Sequence, residues 1–135
     1  DNDTLRSPRY KSHLFDKLGD QHCAFCNCNI RELIQGAHIW DVASIKSDCH
    51  LSDEEKVVHA TSGDNGLWLC ANHHLLFDRH ILNLNSNGEV VYNKDADSDY
   101  ISFMDEITIH RTLCDKIMTE QLQYYLRKRN AGLTA

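Results

Sequence analysis

The chain has 135 residues, enough for one domain with a modest core and hardly for two. Its apolar and charged fractions, 41% and 25%, are those of an ordinary folded protein, and no window approaches ~18 uninterrupted apolar residues, so no segment reads as a membrane-crossing helix. A formal net charge of -6 counts against a self-sufficient nucleic-acid binder, because phosphate contacts need Lys and Arg, but not against a catalytic module held on its substrate by other domains.

The chain opens on Asp1 rather than Met, carries no signal-peptide pattern, and reads as a piece of a longer protein. Basic residues gather at both ends, as Arg6, Arg9, Lys11 and Lys17 and as Arg127, Lys128 and Arg129. They read equally as substrate contacts or as solvated helix faces. Ser7-Pro8 predicts a helix start, with Ser7 as N-cap, and the Leu14, Phe15, Leu18 stripe carries the helix to about Leu18 before Gly19. Cys23 to Cys28 predicts a tight turn. Ile30 to Trp40, broken by Gly36, suggests a short hairpin. Ser47 to Gly63 is polar and reads as a loop with a short helical piece. Leu67 to Leu69 is apolar and ends at Cys70, and Ala71 to Phe77 has helical spacing. Ile81 to Asn85 and Glu89 to Asn93 flank Asn87-Gly88, a strong hairpin signal. Lys94 to Asp99 reads as an acidic loop. Asp115 to Arg129 carries Ile117, Met118, Leu122, Tyr125 and Leu126 at helical spacing and is expected to end near Asn130 and Gly132. The expected organisation is one domain, 1–135, with a motif core at about 22–92 and flanking helices at about 8–18 and 115–129.

Six cysteines and nine histidines are many for this length. Cys23 and Cys26 form a CxxC pair, and Cys70 and His73 a CxxH pair, a set that can close a tetrahedral Zn²⁺ site. Four protein ligands leave no open position, so this zinc is expected to be structural and to contribute folding energy. Cys28 is a spare that could replace Cys26. Such a site fits a reducing compartment better than a disulfide scaffold does, and the cytoplasm is the expected location.

His73 and His74 are neighbours and would point roughly 100° apart on a helix, so one can bind zinc while the other faces elsewhere. His74 and Asp78 are four apart, on one helical face, and can together hold a hard divalent ion such as Mg²⁺ or Mn²⁺. If Ala37-His38-Ile39 is a strand, His38 points opposite to its apolar neighbours. It is then either a general base facing a groove, since a histidine can take a proton from water at neutral pH, or a buried, hydrogen-bonded histidine.

The ordered run CxxC, AHI and NGLxLCxxHHxxFD, over about residues 22–92, resembles the HNH (ββα-metal) endonuclease family and is especially similar to its restriction-type branch. The resemblance implies an α+β fold in which a β-hairpin and a helix wrap one metal ion beside a structural zinc. It implies that His38 is the general base, that Asn65 orients the loop and that histidine, and that His74 binds the catalytic Mg²⁺ or Mn²⁺. Asp78 stands where some members place a further ligand, and Cys23, Cys26, Cys70 and His73 stand at the zinc positions. The chain departs at Ala37, where many members carry an acidic or histidine metal ligand, and Asp41 lies close enough in sequence to help. By this resemblance the domain would hydrolyse DNA phosphodiester bonds, leaving 5′-phosphate and 3′-hydroxyl ends, as the cleavage part of a restriction or defence enzyme whose other domains choose the site. Cutting both strands needs two centres, so a homodimer is an expectation. The alternatives are a catalytically silent zinc-stapled module that binds nucleic acid or protein, and a metal hydrolase acting on another substrate.

Overall fold

Among the described residues, four strands form two antiparallel ribbons and six α-helices pack around them. The computed structural model describes Leu5 and residues 7–134; Arg6, of the N-terminal basic cluster, lies outside the described residues. Helix α1 (Arg9–Leu18) is followed by the cysteine turn, a single 3₁₀ turn (Arg31–Leu33) and strand β1 (Ile34–His38). Helices α2 (Val42–Ser47) and α3 (Asp53–Thr61) come next, then strand β2 (Gly66–Cys70) and, directly from it, helix α4 (Ala71–Asp78). A second hairpin, β3 (Leu82–Leu84) and β4 (Val90–Tyr92), precedes helices α5 (Ser98–Ile107) and α6 (Glu120–Thr134).

Strands β1 and β2 pair antiparallel from Ile34 opposite Cys70 to His38 opposite Gly66. The expected local hairpin within Ile30 to Trp40 is therefore replaced by one strand whose partner lies beyond two inserted helices. Local alternation marks a strand without naming its partner. Of the two inserted helices, α3 is the short helical piece expected within Ser47 to Gly63, and α2 falls on Val42–Ser47, for which there was no expectation. Ser52 accepts from the Glu55 N–H while the Glu55 carboxylate accepts from the Ser52 N–H, a capping box that starts α3. All five residues of β2 are buried, because α1 and α4 both pack on it, which is why this strand reads as a continuous apolar run.

The β3–β4 hairpin is where Asn87-Gly88 puts it, with Gly88 at φ 77°. Helix α5 begins inside the expected acidic loop, where Asp97 caps it by accepting from the Tyr100 N–H at 3.0 Å. Helix α6 starts at Glu120, later than the expected Asp115, and runs to Thr134. Thr119 sets the start, since its Oγ1 accepts from the Leu122 N–H at 3.1 Å, while Ile117 and Met118 pack on the core from the preceding turns.

The core runs through Leu14, Ile39, Leu67, Phe77, Leu122 and Tyr125, so both terminal helices belong to it. Much of the basic charge at the chain ends is used in packing. Lys17 pairs with Asp64 at 2.9 Å, Lys128 lies over the Trp40 ring, and Arg129 is buried. Among the described residues no helix is long and apolar enough to cross a membrane.

Candidate metal centre and catalytic cleft

The cysteine turn closes with the Cys23 N–H donating to the Cys28 carbonyl at 2.9 Å, which aims Cys23 and Cys26 at the junction of β2 and α4. There Cys70 ends the strand and His73 lies in the first turn of the helix. The ligand atoms of Cys23, Cys26, Cys70 and His73 all fall within 4.8 Å of one another. Tetrahedral zinc, with Zn–S near 2.3 Å and Zn–N near 2.0–2.1 Å, puts two sulfurs about 3.8 Å apart and a sulfur and nitrogen about 3.5 Å apart. The Cys26 and Cys70 sulfurs are 3.8 Å apart, and His73 Nδ1 stands 3.6 Å from Cys23 Sγ and 3.3 Å from Cys70 Sγ. The cluster can hold a zinc ion, with Cys26 rather than Cys28 as its fourth member.

Burial pushes the Cys23 thiol up to about 12, with the Cys70 and Cys26 thiols adding to the shift, and pushes the His73 imidazole down to about 4. The imidazole is thus held neutral, as a ligand must be, and the crowded thiols become thiolates most easily with a cation between them. His73 Nε2 lies 3.0 Å from the hydroxyl of buried Thr108, at the end of α5, which fixes the ring with Nδ1 facing the sulfurs. Thr108 had no signature in the sequence.

On the other side of α4 a cleft of about 680 Å³ is lined by His38, Asp41, His74, Asp78, His80 and Arg129, with Tyr10 at its wall. His38 and its neighbours alternate as a strand requires: Ala37 and Ile39 are buried and His38 reaches the cleft. The Ala60 carbonyl can only accept, so His38 Nε2, 2.8 Å away, carries the proton and Nδ1 is the basic nitrogen. Ala37 faces the core and supplies nothing to the cleft. Asp41 lines the cleft, but its carboxylate caps α2 through the Ser44 N–H and hydroxyl.

His74 and Asp78 are brought together, Nε2 to Oδ2 at 3.2 Å. His74 Nδ1 lies 2.5 Å from the Gln35 side-chain oxygen, to which it donates, so a neutral His74 presents its Nε2 lone pair to the carboxylate. A ring nitrogen and a carboxylate oxygen at that distance can share either a proton or a metal cation. Adjacent ligands of an octahedral ion at about 2.1 Å would be about 3 Å apart. The pair therefore fits a hard divalent ion, with Gln35 as the outer partner that orients the histidine.

Asn65 does not line the cleft. It is fully buried behind it, where Oδ1 accepts from the Trp40 N–H at 2.8 Å and Nδ2 donates to the Trp40 and His59 carbonyls at 3.0 and 3.1 Å. It thereby clamps the chain just after His38. Arg129 of α6 clamps the same segment from elsewhere, donating to the Ile39 carbonyl at 3.3 Å, to the Phe77 carbonyl, and to Asn83 Oδ1 at 2.9 Å. Burial pushes its guanidinium down to about 10, against the pull of Asp78 and Asp41. His80 closes α4 in the left-handed region at φ 58°, the one such non-glycine among the described residues. Its N–H donates to the Phe77 carbonyl and that of Ile81 to the Leu76 carbonyl, the paired bonds of a helix stop that usually falls on Gly.

Residues 23–85 match the HNH endonuclease family model, a span that contains the zinc cluster, His38, Asn65, His74 and Asp78 but neither Tyr10 nor Arg129. A comparison with curated proteins finds no match.

Proposed function

We propose that the chain is a DNA-cutting nuclease domain in which His38 is the general base, His74 and Asp78 hold a catalytic Mg²⁺ or Mn²⁺, and Cys23, Cys26, Cys70 and His73 hold a structural zinc. The observation that carries this reading is one cleft holding a tautomer-fixed histidine and a His–Asp pair set for a cation, inside the span that matches the HNH endonuclease model.

The proton on His38 Nε2 is committed to the Ala60 carbonyl, so Nδ1 receives the proton of the attacking water. Asn65 and Arg129 act through the backbone that follows His38, so both are positioning residues. Gln35 accepts from His74 Nδ1 and so holds Nε2 toward Asp78, the other ligand. A hard divalent ion there would polarise the scissile phosphate and stabilise charge on the leaving 3′ oxygen. The products would be 5′-phosphate and 3′-hydroxyl ends, and the parent protein would be a restriction or defence enzyme, with site choice in its other domains and double-strand cutting through a dimer.

The test is cleavage of supercoiled plasmid at low salt with Mg²⁺ or Mn²⁺ by the zinc-loaded chain and by His38→Ala. Metal-dependent cleavage that falls by about 10²–10⁴ in the variant is expected, the usual size of a general-base contribution. Equal cleavage by both proteins would remove His38 from the mechanism. A buried Ala37 favours the second reading, a silent zinc-stapled module, and its signature would be zinc-loaded protein that binds DNA or a protein partner without cutting.

A further inference from the structure

Tyr10 lies in α1, outside the matched span, yet it touches both His38 and Asn65. Its ring stacks on the His38 imidazole, with centroids 3.9 Å apart and planes 12° from parallel. Its hydroxyl donates to the Asn65 carbonyl at 2.9 Å, the residue whose side chain clamps Trp40. The approach is built into both strands. A methyl group at Gly66 would land on the Tyr10 hydroxyl, and one at Gly36 would come within 2.6 Å of Leu14 and 3.3 Å of the Tyr10 ring. Only glycine on the two paired strands lets α1 sit this close.

We propose that Tyr10 is a positioning residue of the nuclease centre, holding the His38 imidazole in the plane from which Nδ1 meets the attacking water; the proposal rests on the nuclease reading above. The Ala60 carbonyl fixes one ring atom of His38, and the stacked Tyr10 ring holds the plane of the imidazole. Tyr10 does not itself exchange protons with substrate. Burial and then the nearby Asp78 carboxylate raise its phenol well above the usual range, so it stays a donor to Asn65 at every working pH. The helix that carries it is therefore part of the active centre.

The test compares zinc-loaded wild type, Tyr10→Phe and Tyr10→Leu in plasmid cleavage with Mg²⁺, alongside NMR of the His38 ring protons. The Phe variant keeps the stack and should stay within about threefold of wild type. The Leu variant should lose about 10- to 100-fold in kcat with KM nearly unchanged, the size expected when a reacting group is misplaced by an ångström or less. The His38 ring protons should be shifted upfield by the stacked ring in wild type and Phe, and lose that shift in Leu. Wild-type kcat in the Leu variant, or a slow Leu variant with unchanged His38 signals, would overturn the proposal. If the Leu variant does not retain zinc, Tyr10→Met, with similar reach and no ring, takes its place under the same criteria. A wild type that cuts nothing sinks the nuclease reading; the NMR shift then decides the Tyr10–His38 contact alone, and its absence in wild type overturns that too.

Discussion

Replacing Asn65 tests how the loop behind His38 is held. Its side chain makes three buried hydrogen bonds, accepting from the Trp40 N–H and donating to the Trp40 and His59 carbonyls. In Asn65→Ala the Trp40 N–H loses this partner, at about 1–3 kcal/mol for a buried donor. The two carbonyls lose a donor each, at a smaller cost because an oxygen has two lone pairs. A loss of about 3–5 kcal/mol follows, a large part of the ~5–15 kcal/mol that holds a typical domain. Asn65→Asp is the sharper variant. It keeps an acceptor for Trp40 but turns a second oxygen, and a charge, toward two carbonyls in a fully buried place, so it should be at least as destabilising as Ala. Urea unfolding of the zinc-loaded proteins measures both. A change under about 1 kcal/mol in Ala, or a stable Asp variant, would refute the clamp.

The pH dependence follows from His73, whose folded value of about 4 lies below its ordinary 6.5 because of burial. Its contribution to stability is complete above about 6.5 and is lost as pH falls from there toward 4, the same window in which a protonated imidazole releases zinc. Urea midpoints and bound zinc measured from pH 7 to 4 should fall together, and a level midpoint would contradict it. Arg129→Lys should cost about 2 kcal/mol and slow cleavage, because an ammonium cannot span Ile39, Phe77 and Asn83 as the planar guanidinium does; wild-type stability in that variant would show the fork is dispensable. His80→Gly should raise stability by up to about 1 kcal/mol by relieving a left-handed side chain, and a lower thermal midpoint would mean the His80–Asn83 contact outweighs the strain.

The zinc cluster was legible because its ligands come as two local pairs with fixed spacing, and each pair folds onto a turn or a helix start. The His74–Asp78 pair was legible for the same reason, being one helical turn apart. His38 was readable only as a strand residue with two possible meanings, until the fold put Ala60, far along the chain, against its ring. Tyr10, Gln35 and Thr108 left no trace, and Arg129 was legible only as part of a basic cluster, since each reaches the site from an element at least 28 residues from its contact and has no repeating pattern. Between the strands, α3 was legible only as a short helical piece in a polar stretch, although Ser52 and Glu55 spell a capping box, and α2, only six residues long, carried no clear periodic signal. The late start of α6 has a comparable cause: Ile117 and Met118 keep helical spacing while packing from turns, and Thr119 is what opens the helix.

The buried Arg129 has a consequence for anyone who would move this domain into another protein. A graft limited to residues 23–85 carries every proposed ligand and the proposed base, yet leaves the carbonyls of Ile39 and Phe77 facing the gap that the last helix fills. Such a graft would carry the chemistry without the scaffolding that gives it shape. The transplantable unit has to run from α1 through α6, and a host protein must join it at points outside both helices.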